Sequence, residues 1–163
     1  MILLAMALLA QDYGSFDVEQ TREICRVKIE GAYKDIYRSI DACISDHRIE
    51  YRRFHLLAAD SGRVLAPAMR QCVTEWTSEG RIDWAMANHC AVGVADGKRE
   101  YDLFLSAATG ARERAMIRAC RKRWTDEDTG IVNWLMAGDC AGGIGEWLSH
   151  PPAPEDDGTI LVT

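Results

Sequence analysis

The sequence lacks the short-range pairings on which most metal and nucleophile chemistry rests. None of its six cysteines forms a C-x-x-C pair, and none of its four histidines forms an H-x-x-x-H pair. A zinc site normally shows at least one close pair of ligands, so no metal is expected. No G-x-S-x-G is present, and a serine nucleophile therefore has no motif behind it. Gly142-Gly143-Ile144-Gly145 is not followed by Lys-Ser or Lys-Thr, the specific part of a phosphate loop, and reads as a structural turn. No cofactor follows from any of these patterns. A basic excess is missing too: the net charge is −6 and the pI about 5.2, which argues against nucleic acid as the main partner. Strict alternation of apolar and polar residues is absent until the last few positions, so strands are not expected to dominate.

What is present begins at the N-terminus. Met1 to Ala10 is almost wholly apolar and ends in Ala-Leu-Leu-Ala before Gln11 and Asp12. Small residues before a polar break read as a signal peptide over 1–10. The stretch lacks a basic start, which a longer leader would supply. It is too short to span a bilayer, and no later segment is apolar enough to do so. An even number of cysteines at long, regular spacings fits disulfides in an oxidising compartment. Both features predict a periplasmic or secreted protein. The competing expectation is a cytosolic helical protein with free thiols, in which residues 1–10 form a core helix.

The strongest signal is an internal repeat. Cysteines fall at 25, 43, 72, 90, 120 and 140, which gives spacings of 18, 18 and 20 within pairs and of 47 and 48 between first members. A fixed period of this size marks a repeat architecture. Flanking residues agree with it. Arg70-Gln71-Cys72 matches Arg118-Ala119-Cys120, and Trp76-Thr77 matches Trp124-Thr125. Tyr37, Trp84 and Trp134 each stand six residues before a second cysteine. Glu50-Tyr51-x-x-Phe54 matches Glu100-Tyr101-x-x-Phe104.

These patterns predict an all-α protein of about three tandem disulfide-stapled helical hairpins of ~47 residues. The units lie at about 12–62, 63–110 and 111–150, and a flexible Pro-rich, acidic tail covers 151–163. Ile36, Ile40 and Ile44 recur as one helical face, as do Tyr51, Phe54 and Ala58. Gly31, Gly62, Gly80, Gly97, Gly110 and Gly130 are expected at caps and turns. The acids Asp126-Glu127-Asp128 are expected to cap a helix N-terminus. The simplest pairing is within units, Cys25–Cys43, Cys72–Cys90 and Cys120–Cys140, each closure stabilising by roughly 3 kcal/mol. Pairing between units, through Cys43–Cys72 and Cys90–Cys120, stays open.

No catalytic residue is identified. His47, His55, His89 and His150 do not recur between units and are expected at the surface or at helix ends. Tyr37, Trp76, Trp84, Trp124 and Trp134 are expected to pack as core. The usable interaction surface is the basic segment Arg112, Arg114, Arg118, Arg121, Lys122 and Arg123, opposed inside it by Glu113 alone. Disulfide-stapled helical hairpins are similar in kind to small bacterial envelope proteins that inhibit lysozyme. The Leu, Asp and Tyr run that marks those proteins after the second cysteine is missing, and no residue role carries over. The functional expectation is an exported binding module whose partner is a protein or an envelope component. The alternative is a small secreted enzyme or enzyme inhibitor, with His89 and Asp139 as first suspects.

Overall fold

The computed structural model of the chain describes residues 12–31 and 35–149. The expected leader at 1–10 and the tail at 151–163 lie outside the described residues, as does His150. Among the described residues the chain forms five helices and one short hairpin. They are α1 (Val18–Glu30), α2 (Ile40–Glu75), β1 (Thr77–Ser78), β2 (Arg81–Ile82), α3 (Trp84–Ala107), α4 (Ala111–Arg123) and α5 (Trp134–Ser149). The chain is mostly helical, as expected. None of its described helices is long and apolar enough to cross a membrane.

Side chains that satisfy the first free N–H groups set the helix starts. The Asp17 carboxylate accepts from the Gln20 amide at 2.9 Å, and the Ser39 hydroxyl from the Ala42 amide at 3.1 Å. Asp83 and Asn133 play the same part for α3 and α5, accepting from the Met86 and Met136 amides, each at 3.2 Å. At α4 the Glu113 carboxylate reaches back to the Thr109 amide at 2.9 Å. Asp126 is therefore not a helix cap. Its carboxylate accepts from the Thr129 amide and hydroxyl, at 2.8 and 2.7 Å, inside its own loop.

The six cysteines form Cys25–Cys43, Cys72–Cys90 and Cys120–Cys140, the in-unit pattern. Each bond staples the helix before a turn to the helix after it. The spacing difference has a local cause. Trp76 carbonyl accepts from the Asp83 amide at 2.8 Å, and Trp124 carbonyl accepts from the Asn133 amide at the same distance. The loops closed this way span seven and nine positions, so the two extra residues between Cys120 and Cys140 sit in the turn. The shorter loop is the β1–β2 hairpin, whose two turn residues, Glu79 and Gly80, both have positive φ, as a tight hairpin with the twist of its strands requires.

Compact packing divides the chain into two units, one ending at Ala95 and one beginning at Asp96, a division that falls inside α3. In the first unit Cys25, Cys43 and Ile44 form a buried cluster with Phe16, Val18, Tyr37 and Ile40 packed on it. Tyr51, Phe54 and His55 pack on Trp84, which is 1% exposed, and Tyr13 packs edge-on against Phe54 and His55. In the second unit Tyr101 packs edge-on against Trp134, with ring centroids 5.5 Å apart.

Several local expectations are corrected. Ile36 lies outside α2 and is 65% exposed, because the helix starts only at Ile40. Gly62, by contrast, stands at a break as expected: its φ of 66 and ψ of −166 are non-helical, so two helical stretches meet across a kink inside α2, in a conformation that costs glycine little. Gly97 lies within α3 and is buried there rather than at a turn. Its partner is Gly138 of α5, where a Cβ would come within 2.9 Å of the Gly97 Cα. Gly142 and Gly145 are likewise within α5, where they leave room for the Phe104 ring, and form no turn.

Candidate functional site

A cleft of about 480 Å³ opens in the first unit. Its walls are Glu23, Ile24, Val27 and Lys28 of α1, Glu75 and Trp76 at the end of α2, and Thr77, Ser78, Arg81 and Asp83 around the hairpin. The helical period puts Ile24, Val27 and Lys28 on one side of α1, and the Cys25–Cys43 bond fixes that helix against α2. The hairpin turns the chain back so that Asp83, the cap of α3, faces Lys28.

Two of these residues, Lys28 and Asp83, belong to a largely buried polar cluster with His47. Lys28 Nζ lies 2.6 Å from one Asp83 carboxylate oxygen and 3.4 Å from His47 Nε2. The other Asp83 oxygen is 3.7 Å from the same histidine nitrogen. The His47 side chain is fully buried, and those of Lys28 and Asp83 are only 10% and 18% exposed. Burial lowers the His47 pKa, the Lys28 ammonium lowers it further, and the Asp83 and Asp46 carboxylates pull the other way. His47 is therefore neutral at neutral pH, and its Nδ1 has no hydrogen-bond partner. A ring nitrogen of His47 also lies within 4.8 Å of both sulfurs of Cys25–Cys43. Those sulfurs are bonded to each other, so they offer a metal no thiolate.

His47 corrects the expectation that the histidines are solvated. His55 is half-buried, its ring tilted against those of Tyr51 and Trp84 with centroids 4.4 and 5.6 Å away. Burial lowers its pKa against the opposing pull of the Gly14 carbonyl. His89 and Asp139 are both exposed and make no hydrogen bond or ion pair among the described residues. Tyr37 is half-buried against the first disulfide cluster, and its hydroxyl donates to Asp46 at 2.9 Å. Burial and the Asp46 carboxylate push that phenol up to about 12. Trp84 and Trp134 are buried as expected, whereas Trp76 and Trp124 are half-buried.

The basic segment forms α4 and its six cations behave differently from one another. Arg114 donates to the Ala108 and Thr109 carbonyls at 2.8 and 3.1 Å, closing the end of α3. Arg121 lies over the Trp134 ring and Arg123 over the Trp124 ring, each at 5.6 Å from the centroid. Arg112, Arg118 and Lys122 are exposed and reach no carboxylate among the described residues. Glu113, the only acid in the segment, is engaged by the Thr109 and Gly110 amides. At 3.6 residues per turn, Ala111, Ala115, Arg118, Ala119 and Lys122 face away from buried Ile117 and Cys120. That outer face is thus cationic and free of acid.

The structure pairs the six expected cysteines as disulfides, carries the expected cations on α4, and adds Lys28, Glu75, Arg81 and Asp83, which sequence reading passed over. The one usable signal for them was the Asp83-Trp84 pair, matched by Asn133-Trp134. Set against known proteins, the chain matches no family model, no curated protein and no solved structure.

Proposed function

We propose that this chain is an exported binding module of tandem disulfide-stapled helical units, and that it engages a negatively charged protein surface through the outer face of α4. The observation that carries this reading is the uncompensated charge there. Arg118 and Lys122 project from a face otherwise made of exposed alanines, exposed Arg112 flanks it, and the one nearby acid is committed to capping. Small residues between the cations let a partner approach the helix closely, and the cations speed and orient the encounter. The six paired sulfurs favour an oxidising compartment over the free-thiol alternative. The matching Cys, Trp and Tyr positions favour a repeat origin for the units. Among the described residues His89 and Asp139 are exposed and make no hydrogen bond or ion pair, which favours the binding reading over one that rests on them as catalytic groups.

Retention of the folded, oxidised chain on immobilised polyglutamate tests the reading. Retention is expected at low salt and lost as salt rises, and the double variant Arg118→Glu, Lys122→Glu elutes in the void. Retention of that variant equal to the wild type would sink the proposal. Intact mass after production with the native leader, with and without reduction and alkylation, tests export. Loss of residues near 1–10 with no alkylation before reduction is the expected result.

A further inference from the structure

The cleft of the first unit has no part in the α4 reading, and it has the makings of a ligand site of its own. We infer that it takes a positively charged nitrogen carried on an apolar stem, the chemistry of a lysine or arginine side chain. Its volume of about 480 Å³ falls in the range of small-ligand sites, roughly 300–1,000 Å³. Most of its charges are already neutralised by neighbours. Lys28 is paired with Asp83, Arg81 with Glu79, and Glu23 with Arg26. Glu75 is the exception. It lines the cleft, is exposed, and makes no hydrogen bond or ion pair among the described residues.

The surroundings of Glu75 suit such a ligand. Trp76, the next residue, lines the same cleft, and an indole face attracts a cation as well as an apolar stem. Ile24 and Val27 supply the apolar wall, and Val27 is 71% exposed, so this wall faces open space rather than core. An anion would meet the unpaired carboxylate of Glu75 and find both nearby cations engaged. A neutral apolar molecule would gain the wall and leave Glu75 unanswered. The ligand source is either a free organic cation or a basic side chain of a partner protein, and the chemistry recognised is the same.

Calorimetric titration of the full oxidised chain with butylguanidinium and with capped arginine (N-acetyl-arginine amide) tests the inference and separates the sources. Capped arginine binding at least five-fold more tightly indicates a protein side chain, and comparable or tighter binding of butylguanidinium indicates a free cation. Glu75→Gln is expected to weaken either probe at least five-fold, and Glu75→Lys to abolish binding. Glu75 is exposed, so both variants should keep the wild-type circular dichroism spectrum and melting temperature. The inference is overturned if butyrate or butanol binds as well as the cations, if Glu75→Gln leaves affinity unchanged, or if neither cation binds at millimolar concentration.

Discussion

Trp84 and Trp134 stand fifty positions apart in the chain, and so do Tyr51 and Tyr101 that pack on them. Trp84 meets Tyr51 at 4.9 Å between centroids, and Trp134 meets Tyr101 at 5.5 Å. Each tryptophan follows a residue that caps its own helix, Asp83 in one case and Asn133 in the other. Around this common frame the two regions diverge. Near Trp84, His47 and Asn88 are buried polar side chains, with Asn88 donating to Glu50 and His47 facing Lys28 and Asp83. The positions fifty further on are Gly97 and Gly138, and there two helix backbones touch instead. One aromatic frame thus tolerates either a buried polar cluster or a close glycine contact. The packing is carried by the tryptophan and tyrosine, and the variable layer beside them decides whether the region is merely tight or also chemically distinctive.

Exchanging the variable layer should produce the largest effects. Gly138→Asn, which installs the side chain found at Asn88, is expected to cost about 3 kcal/mol or to prevent folding, because even its Cβ runs into Gly97. The reverse change, Asn88→Gly, is expected to cost only about 1–2 kcal/mol, for a lost hydrogen bond and a glycine inside α3. Urea unfolding with the disulfides intact measures both, and equal costs would mean that the two regions are packed alike.

The capping residues allow a gentler exchange. Asp83→Asn copies the neutral residue of the second region and leaves the nearly buried Lys28 ammonium without its carboxylate. A cost of about 2 kcal/mol is expected, below the figure for a fully buried pair because both side chains keep some exposure. Asn133→Asp keeps the cap and should change stability by less than about 0.5 kcal/mol. A Lys28→Met, Asp83→Asn double variant should recover part of the loss in the same unfolding assay.

Acidity should act on the histidines of the first region. The His47 pKa is lowered in the folded chain, so the unfolded chain takes up a proton first as pH falls below about 6.5, its ordinary value. Its contribution to stability is full above that pH and is lost as pH drops from there through the lower folded value. His55 acts in the same direction. The groups facing His47 are Lys28 from α1, Asp46 from its own helix and Asp83 at the start of α3. The urea midpoint should therefore fall between pH 7.5 and 5, and His47→Gln should flatten that fall. An equally steep fall in the variant would remove His47 as its cause. The smallest effect is expected for His55→Leu, which copies Leu105. It loses the bond to the Gly14 carbonyl but removes a buried Nε2 that has no partner, for a net change within about 0.5 kcal/mol.

Much of this frame was legible in the residues. Burial of Trp84 and Trp134, and the in-unit cysteine bonds, follow from positions that recur at a fixed spacing. The misreadings have a common origin. His47 looks like a solvated helical histidine until α1 is laid across it, and Gly142 and Gly145 look like a turn until the Phe104 ring needs their space. Ile36 fits the spacing of a helical face, but the helix that would use it begins at Ile40. Periodicity reports which positions could share a face and is silent on which element covers that face.

By itself, the sequence determined the helical class, the disulfide spacing, the aromatic frame and the cationic character of α4, since each depends on residues within one or two helical turns or within one closed loop. Only the tertiary structure decided that Lys28 and Asp83, fifty-five positions apart, meet beside His47, and that Glu75 lines a cleft with no ion pair among the described residues. The physical reason is that a charge's environment is set by what surrounds it in space, whereas local sequence records only what surrounds it along the chain.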